Sequence, residues 1–247
     1  MKYSILIVLS LVLWSCGPSE KKTLSAQEIV DKAIEVSGGE AHHSAQISFR
    51  FRNMEYAAEG KGNQRILKRM FDEDGAAVID IKDSDKLARY KNDLPVQLSD
   101  SMAQIYANSV NSVHYFAKLP YGLNDKAVHK KLLGLEEIKG KTYHKIQVTF
   151  DQANGGEDFE DTYVYWIDLE SFKPMYLAYD FIVDGGGVRF REAFNERYID
   201  GVRFVDYKNY KPSQETTTVY TTAKQFEAGT LSVLSTIELE DIRVRRQ

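Results

Sequence analysis

Between Tyr143 and Tyr210 the chain is a succession of short strand-like runs separated by turn signals. TYVYWIDL (Thr162 to Leu169), KPMYLAYDFIV (Lys173 to Val183), GGGVRFREAFNERYI (Gly185 to Ile199) and DGVRFVDYKNY (Asp200 to Tyr210) follow one another almost without a gap. Their aromatic and β-branched residues suit a pleated, half-buried surface. So dense a stretch can only be the central sheet of a β-rich domain, and the rest of the chain must cover it.

The turns propose a register. Asp200-Gly201 reads as a two-residue hairpin turn, which sets Ile199 opposite Val202 and carries Phe194 to Tyr207. If Gly185-Gly186 closes the preceding hairpin, Phe181 faces Phe190, Asp180 faces Arg191 and Tyr179 faces Glu192. Alternate side chains then point the same way. One face collects Leu177, Tyr179, Phe181, Val183, Val188, Phe190, Phe194, Tyr198, Val205 and Tyr207. The opposite, solvated face collects Asp180, Arg189, Arg191, Asn195, Arg197 and Asp206, with Asp180–Arg191 and Asp206–Arg197 as cross-strand ion pairs. A one-residue slip would reverse every one of these assignments.

Glu192, Arg203 and Asn209 fall on the apolar face in this register. A buried carboxylate must find donors or lose its charge. Two readings stand: an acid tied into the scaffold through Tyr179 or Arg203, or one of a few polar fixtures that orient a ligand's head group in an apolar cavity. The ligand-binding set on the second reading is Tyr179, Glu192, Phe194, Arg203 and Tyr207.

The N-terminus gives the location. A short basic start, Met1-Lys2-Tyr3, precedes an apolar stretch from Ile5 to Trp14 interrupted only by Ser10. That is far short of the roughly 20 residues a bilayer requires and suits an export signal. It ends in Leu13-Trp14-Ser15-Cys16, which resembles a bacterial lipoprotein signal, with cleavage before Cys16 and a diacylglycerol on its sulfur. Cys16 is the only cysteine, so no intramolecular disulfide can help the exported domain. We therefore expect residues 1–15 to be a signal peptide, 16–23 a lipidated tether of about 25 Å when extended, and 24–247 one domain. Removing Lys2 leaves 31 of the 32 basic residues against 36 acidic ones. Such a balance offers no basic patch for nucleic acid or anionic lipid, so membrane attachment has to come from acyl chains.

Ser25 and Glu28 form a capping-box pattern ahead of the stripe Ile29, Val30, Ala33, Ile34, and Gly38-Gly39 ends that helix. Gln46 to Tyr56 alternates as a strand, and further strands are expected over 61–71, 76–82 and 86–91, joined as antiparallel hairpins. Ser99 or Asp100 caps a second helix in which Met102, Ile105, Tyr106, Ser109, Val110, Val113 and Phe116 recur at helical spacing up to Leu119-Pro120. Lying across a sheet, that helix could wall a cavity. The last strands are expected in 216–222 and 231–244.

From Leu133 the chain reads LGLEEIKGKTYHKIQV, followed by Tyr165-Trp166-Ile167-Asp168 and Pro174. With Leu119-Pro120-Tyr121, GGGVRFRE (Gly185 to Glu192) and DYKNY (Asp206 to Tyr210), this resembles an uncharacterised bacterial envelope lipoprotein family of the LolA/LolB-like superfamily, over roughly Ala26 to Val244. The resemblance implies a mainly β (α+β) fold: a single curved antiparallel sheet, a half-barrel of about 11 strands, with helices covering its concave face. In the carrier members of that superfamily the apolar interior holds acyl chains. No catalytic residues and no cofactor come with it.

Enzymatic motifs are missing from the sequence. Five histidines, His42, His43, His114, His129 and His144, show no HExxH spacing, and neither GxSxG nor GxxxxGK[ST] occurs. The acidic loop Asp151 to Asp161 does not match an EF-hand and reads as a solvated hairpin tip. The expected protein is thus a non-catalytic lipoprotein, most simply at the outer membrane facing the periplasm, that binds an apolar or lipid-like ligand. The alternative is an envelope interaction module whose helices fill its own core and whose polar face docks a protein partner.

Overall fold

Ser25 opens the first helix as its capping box predicts: its hydroxyl accepts from the Glu28 amide while its own amide donates 2.8 Å to the Glu28 carboxylate. The computed structural model describes residues 23–60, 65–84, 86–151, 160–182, 185–213 and 217–246. Helix α1 (Ala26–Val36) buries Ala26, Ile29, Val30 and Ala33. After α2 (Glu40–Ser44) come six strands: β1 (Ala45–Phe51), β2 (Met54–Glu59), β3 (Ile66–Glu73), β4 (Ala76–Lys82), β5 (Leu87–Lys91) and β6 (Leu94–Val96). Helix α3 (Asp100–Ala117), capped by Ser99, interrupts them. Strands β7 (Val128–Ile138), β8 (Lys141–Phe150), β9 (Tyr163–Asp168), β10 (Pro174–Phe181), β11 (Gly187–Ile199) and β12 (Val202–Pro212) follow. Short α4 (Thr222–Glu227) and strands β13 (Leu231–Ile237) and β14 (Glu240–Arg246) complete the order. Thus 217–222, expected as strand, instead leads into α4.

The fold is mainly β, but the expected single half-barrel sheet of about 11 strands is replaced by two seven-stranded antiparallel sheets that are neither closed nor strongly curled. One runs β14-β1-β2-β3-β4-β5-β6 and the other β13-β12-β11-β10-β9-β8-β7. Each is a meander: neighbouring pairs other than β14–β1 follow one another in the chain, most through short turns, β8–β9 through the longer segment 151–162 and β12–β13 through α4. Strands β13 and β14 are consecutive yet belong to different sheets. A shared core of Ile47, Phe49, Val202, Phe204, Leu239 and Val244 holds the two together there.

The second sheet is covered on both faces. Its inner face packs Ile146, Val148, Tyr165, Leu177 and Val205 against α1. Its outer face packs Trp166, Tyr176, Phe190 and Tyr210 against Ala223 and Phe226 of α4. Strand β9 is buried at five successive positions, so it shows no alternation, as expected of a strand with apolar cover on both sides.

Helix α3 bridges the sheets. Ala107 and Val110 pack on Leu87 of the first sheet. Beneath it Asp80, fully buried, accepts from Arg69 at 2.6 and 3.0 Å and from Arg89 at 2.7 and 2.9 Å, and Arg69 also donates to Ser109 of the helix. Met102 and Ile105, which belong to the apolar stripe in the sequence, remain exposed toward the helix start.

Candidate ligand-binding site

The Asp200-Gly201 turn forms as expected, with φ of 48° and 81°, and Ile199 pairs with Val202. Two departures upstream then change which side chains face inward. In β11 the register shifts between Phe194 and Arg197, with Asn195 at φ 50°, so that Phe194 faces Asp206 and Ala193 faces Tyr207. This is a β-bulge, and it turns the strand over. In the β10–β11 hairpin the loop is longer than two residues: Phe181 pairs with Gly187, Tyr179 with Arg189 and Leu177 with Arg191. Val183 lies outside the described residues.

The consequence is an exchange of faces. Arg189 and Arg191, expected in solvent, join Tyr179 and Phe181 on the inner face, while Val188 and Phe190 turn outward to the α4 side. The Asp206–Arg197 ion pair forms at 2.9 Å, though with Asp206 buried rather than solvated. Asp180 does not meet Arg191; its carboxylate accepts the Thr162 amide.

Where α3 crosses the second sheet the inner face is incompletely filled. A cavity of about 490 Å³ remains, walled by Asn111, Ser112, Tyr115 and Phe116 of α3, by Tyr163, Tyr179, Phe181, Val205 and Tyr207 of the sheet, and by Phe51 and Arg52 at the end of β1. Its aromatic lining is mutually packed. Tyr163 stacks on Tyr179 at 5.4 Å between centroids, Phe116 lies 5.4 Å from Tyr179, and the hydroxyl of Tyr115 lies 2.9 Å from that of Tyr165, which is not itself in the lining. Burial pushes the Tyr165 and Tyr207 hydroxyls above the usual phenol range, so both stay neutral. This volume lies within the roughly 300–1,000 Å³ typical of small-molecule sites.

Arg191 sits in this wall at 6 % exposure. Its guanidinium lies 3.7 Å over the Phe116 ring and one Nη donates to the Tyr179 hydroxyl at 2.9 Å. Its Nε and other Nη have no hydrogen-bond partner among the described residues, nor has the Oδ1 of Asn209, the residue directly opposite on β12.

Of the five expected ligand contacts, Tyr179 and Tyr207 line the cavity. Glu192, Phe194 and Arg203 do not; for Glu192 and Phe194 this correction follows from the bulge and the longer loop, and for Arg203 from its distance along the strand. Glu192 turns to the outer face, accepting from Lys139 at 2.8 Å and Tyr210 at 2.9 Å. Phe194 lies on that same outer side beside Lys208. Arg203 is buried at the far end of the strand, bound to Glu196 and to the Pro174 carbonyl. The sequence reading missed Arg191, Tyr163 and Phe116 as site residues. The one signal that could have found Arg191 was the run of three glycines before it, which permits a longer loop.

No cluster of three or more metal-ligating side chains occurs among the described residues. His42, in α2, instead stacks on Tyr121 at 3.6 Å. Cys16 and residues 152–159 of the acidic loop lie outside the described residues. No helix among those described is long and apolar enough to cross a membrane.

Two helix-backed antiparallel meanders around an aromatic cavity define a LolA-like fold. The chain resembles a LolA superfamily protein from Nitrosomonas europaea with a TM-score of 0.54 at 14% identity, over 91% of this chain and 96% of that one. A DUF1329 family protein from Desulfovibrio piger aligns over 90% of this chain and 93% of that one, with a TM-score of 0.48 at 12% identity. The chain itself belongs to the family of unknown function DUF6503, whose pattern matches residues 2–239. No curated protein matches it.

Proposed function

We propose that this protein is a lipid-anchored envelope lipoprotein that binds an apolar or lipid-like ligand without covalent chemistry, in the cavity between α3 and the second sheet. The observation that carries the reading is that cavity: about 490 Å³ left open beneath a helix, with aromatic walls, where a domain with a self-filled core would be packed to native density. Filling it with an apolar molecule removes aromatic surface from water at about 25 cal/mol per Å². The interaction-module alternative expects the helix to fill that space, so the cavity favours the ligand reading.

The location rests on the sequence. Residues 1–15 act as a signal peptide, Cys16 carries the acyl chains, 16–23 tether the domain, and Gly17 lacks the aspartate that holds some lipoproteins in the inner membrane, which favours the outer membrane and its periplasmic face. A LolA-like fold accords with a cell-envelope setting.

Organic extraction of the purified full chain, followed by mass spectrometry, tests the binding. Close to one lipid-like molecule per chain, beyond any acyl chains bound covalently at Cys16, is the expected result. A chain free of non-covalent lipid that also fails to take up a fatty-acid probe would favour the interaction module. Replacing Cys16 by Ser should move the protein to the soluble fraction, and continued membrane association would contradict the anchor.

A further inference from the structure

The cavity is apolar in its walls and cationic in its polar fixtures. Among the described residues Arg52, Arg189 and Arg191 line it against one carboxylate, Asp161, which has interactions of its own. Arg52 and Arg189 are settled over Phe51 and Phe181, at 5.0 and 4.7 Å, and Arg189 also donates to the Val188 carbonyl. Arg191 differs. It is the buried one, and two of its three nitrogens find no hydrogen-bond partner among the described residues.

Leaving a guanidinium in this state is costly, because a buried charge without a counter-ion has lost hydration and gained little in return. The Phe116 ring and the Tyr179 hydroxyl recover only part of it. A planar fork with free N–H groups matches the oxygens of a carboxylate or phosphate. Across the ladder, Asn209 holds the Ser235 hydroxyl through its Nδ2 at 3.3 Å and leaves Oδ1 open. Turned over, the same amide would keep Ser235 and present N–H instead.

From this geometry we infer that the ligand is a single-chain amphipath with an oxyanion head. The head, a carboxylate or phosphate monoester, sits on Arg191 beside Asn209, and the tail runs over Phe116, Tyr163 and Tyr179. This rests on the proposed apolar-ligand function and adds the chemical class of the ligand. The head group supplies the charge that Arg191 lacks, and the aromatic wall supplies the area that a free anion could not use.

The test uses the full chain in phosphatidylcholine nanodiscs, with equilibrium dialysis of radiolabelled dodecanoate, methyl dodecanoate and dodecyl phosphate, and empty discs subtracted. Dodecanoate or dodecyl phosphate, or both, should bind at least about tenfold more tightly than the ester. Whichever is tighter identifies the head. In Arg191→Gln and Arg191→Met the preference for acid or phosphate over ester should fall below about twofold. Arg191→Lys should recover part of the preference, since it keeps the charge and loses the fork. Equal binding of acid and ester by the wild type would overturn the inference and leave the apolar-ligand function standing. So would a preference that survives Arg191→Met, or acetate and inorganic phosphate competing as strongly as dodecanoate. No binding of any chain-bearing probe would instead overturn the proposed function itself. The wild-type comparison decides even if a variant fails to fold.

Discussion

The Arg191 guanidinium lies 3.7 Å over the Phe116 ring, so a cation on β11 and an aromatic on α3 close one wall of the cavity together. Away from water such a contact contributes about 2 kcal/mol, more than at an exposed site. Phe116→Leu should therefore cost about 1–2 kcal/mol, and Arg191→Met should cost less or even stabilise, because it removes a poorly satisfied buried charge. Urea unfolding of both single variants and the double variant measures the coupling. Independent, purely additive effects would show that the ring and the cation do not hold each other.

Gly38, just after α1, packs against the turn between β11 and β12. It sits at φ 121°, and a Cβ placed there would meet the Gly201 carbonyl oxygen at 2.5 Å. Both the backbone angle and the missing space require glycine. Gly38→Ala should destabilise by about 1–3 kcal/mol. Thermal unfolding reads this as a drop of several degrees, and an unchanged midpoint would refute the close approach.

Asp80 is the shared counter-ion of Arg69 and Arg89 under α3. Asp80→Asn preserves shape and strands two cations in the first sheet. The expected loss is about 3–5 kcal/mol, or on the order of 10 °C in melting temperature. A loss below about 1 kcal/mol would mean that water reaches the arginines.

His114 and His42 set the acid limit. Burial, as the main cause, pushes His114 down to about 4 and His42 to about 3, and the nearby Arg65 and Lys118 push the same way. The Lys68 carbonyl, 3.1 Å from His114 Nε2, opposes this only in part. Both folded-state values lie below the unfolded value near 6.5, so as pH falls the unfolded chain takes up protons first. The stabilising contribution is complete above about pH 6.5 and is lost on the way down toward 4 and 3. Each histidine should cost on the order of 1 kcal/mol per pH unit in that window. Urea midpoints at pH 7.5, 6 and 5 should fall in that order, and His114→Gln should flatten the slope. A flat profile would contradict the buried neutral state.

Much of the architecture was legible locally. Ser25 with Glu28, Ser99 before its helix, Asp200-Gly201 and the alternation of Gln46 to Phe51 each encode their own element, because caps, turns and pleats are satisfied by residues a few positions apart. The placement of Tyr179 and Tyr207 at the cavity follows from the same strand logic. Arg203 keeps its expected register and misses the cavity only by its position along the strand. Glu192 and Phe194 were misplaced by two small events, the bulge at Asn195 and the extra loop length before Gly187. Neither changes the composition of a strand, and each is odd in register, so each exchanges one face for the other.

By itself, then, the sequence determined that this is a β-rich domain with one capped helix before its strands and a second between them, and a central sheet dense in aromatic residues. Only the tertiary structure decided that the strands divide into two sheets, that α3 leaves space beneath it, and that Arg191 points into that space rather than into water. The reason is range. A cap or a turn is chosen by contacts within a few residues, whereas the side a strand presents is chosen by its partners many positions away, here Arg191 against Leu177 and Asn209.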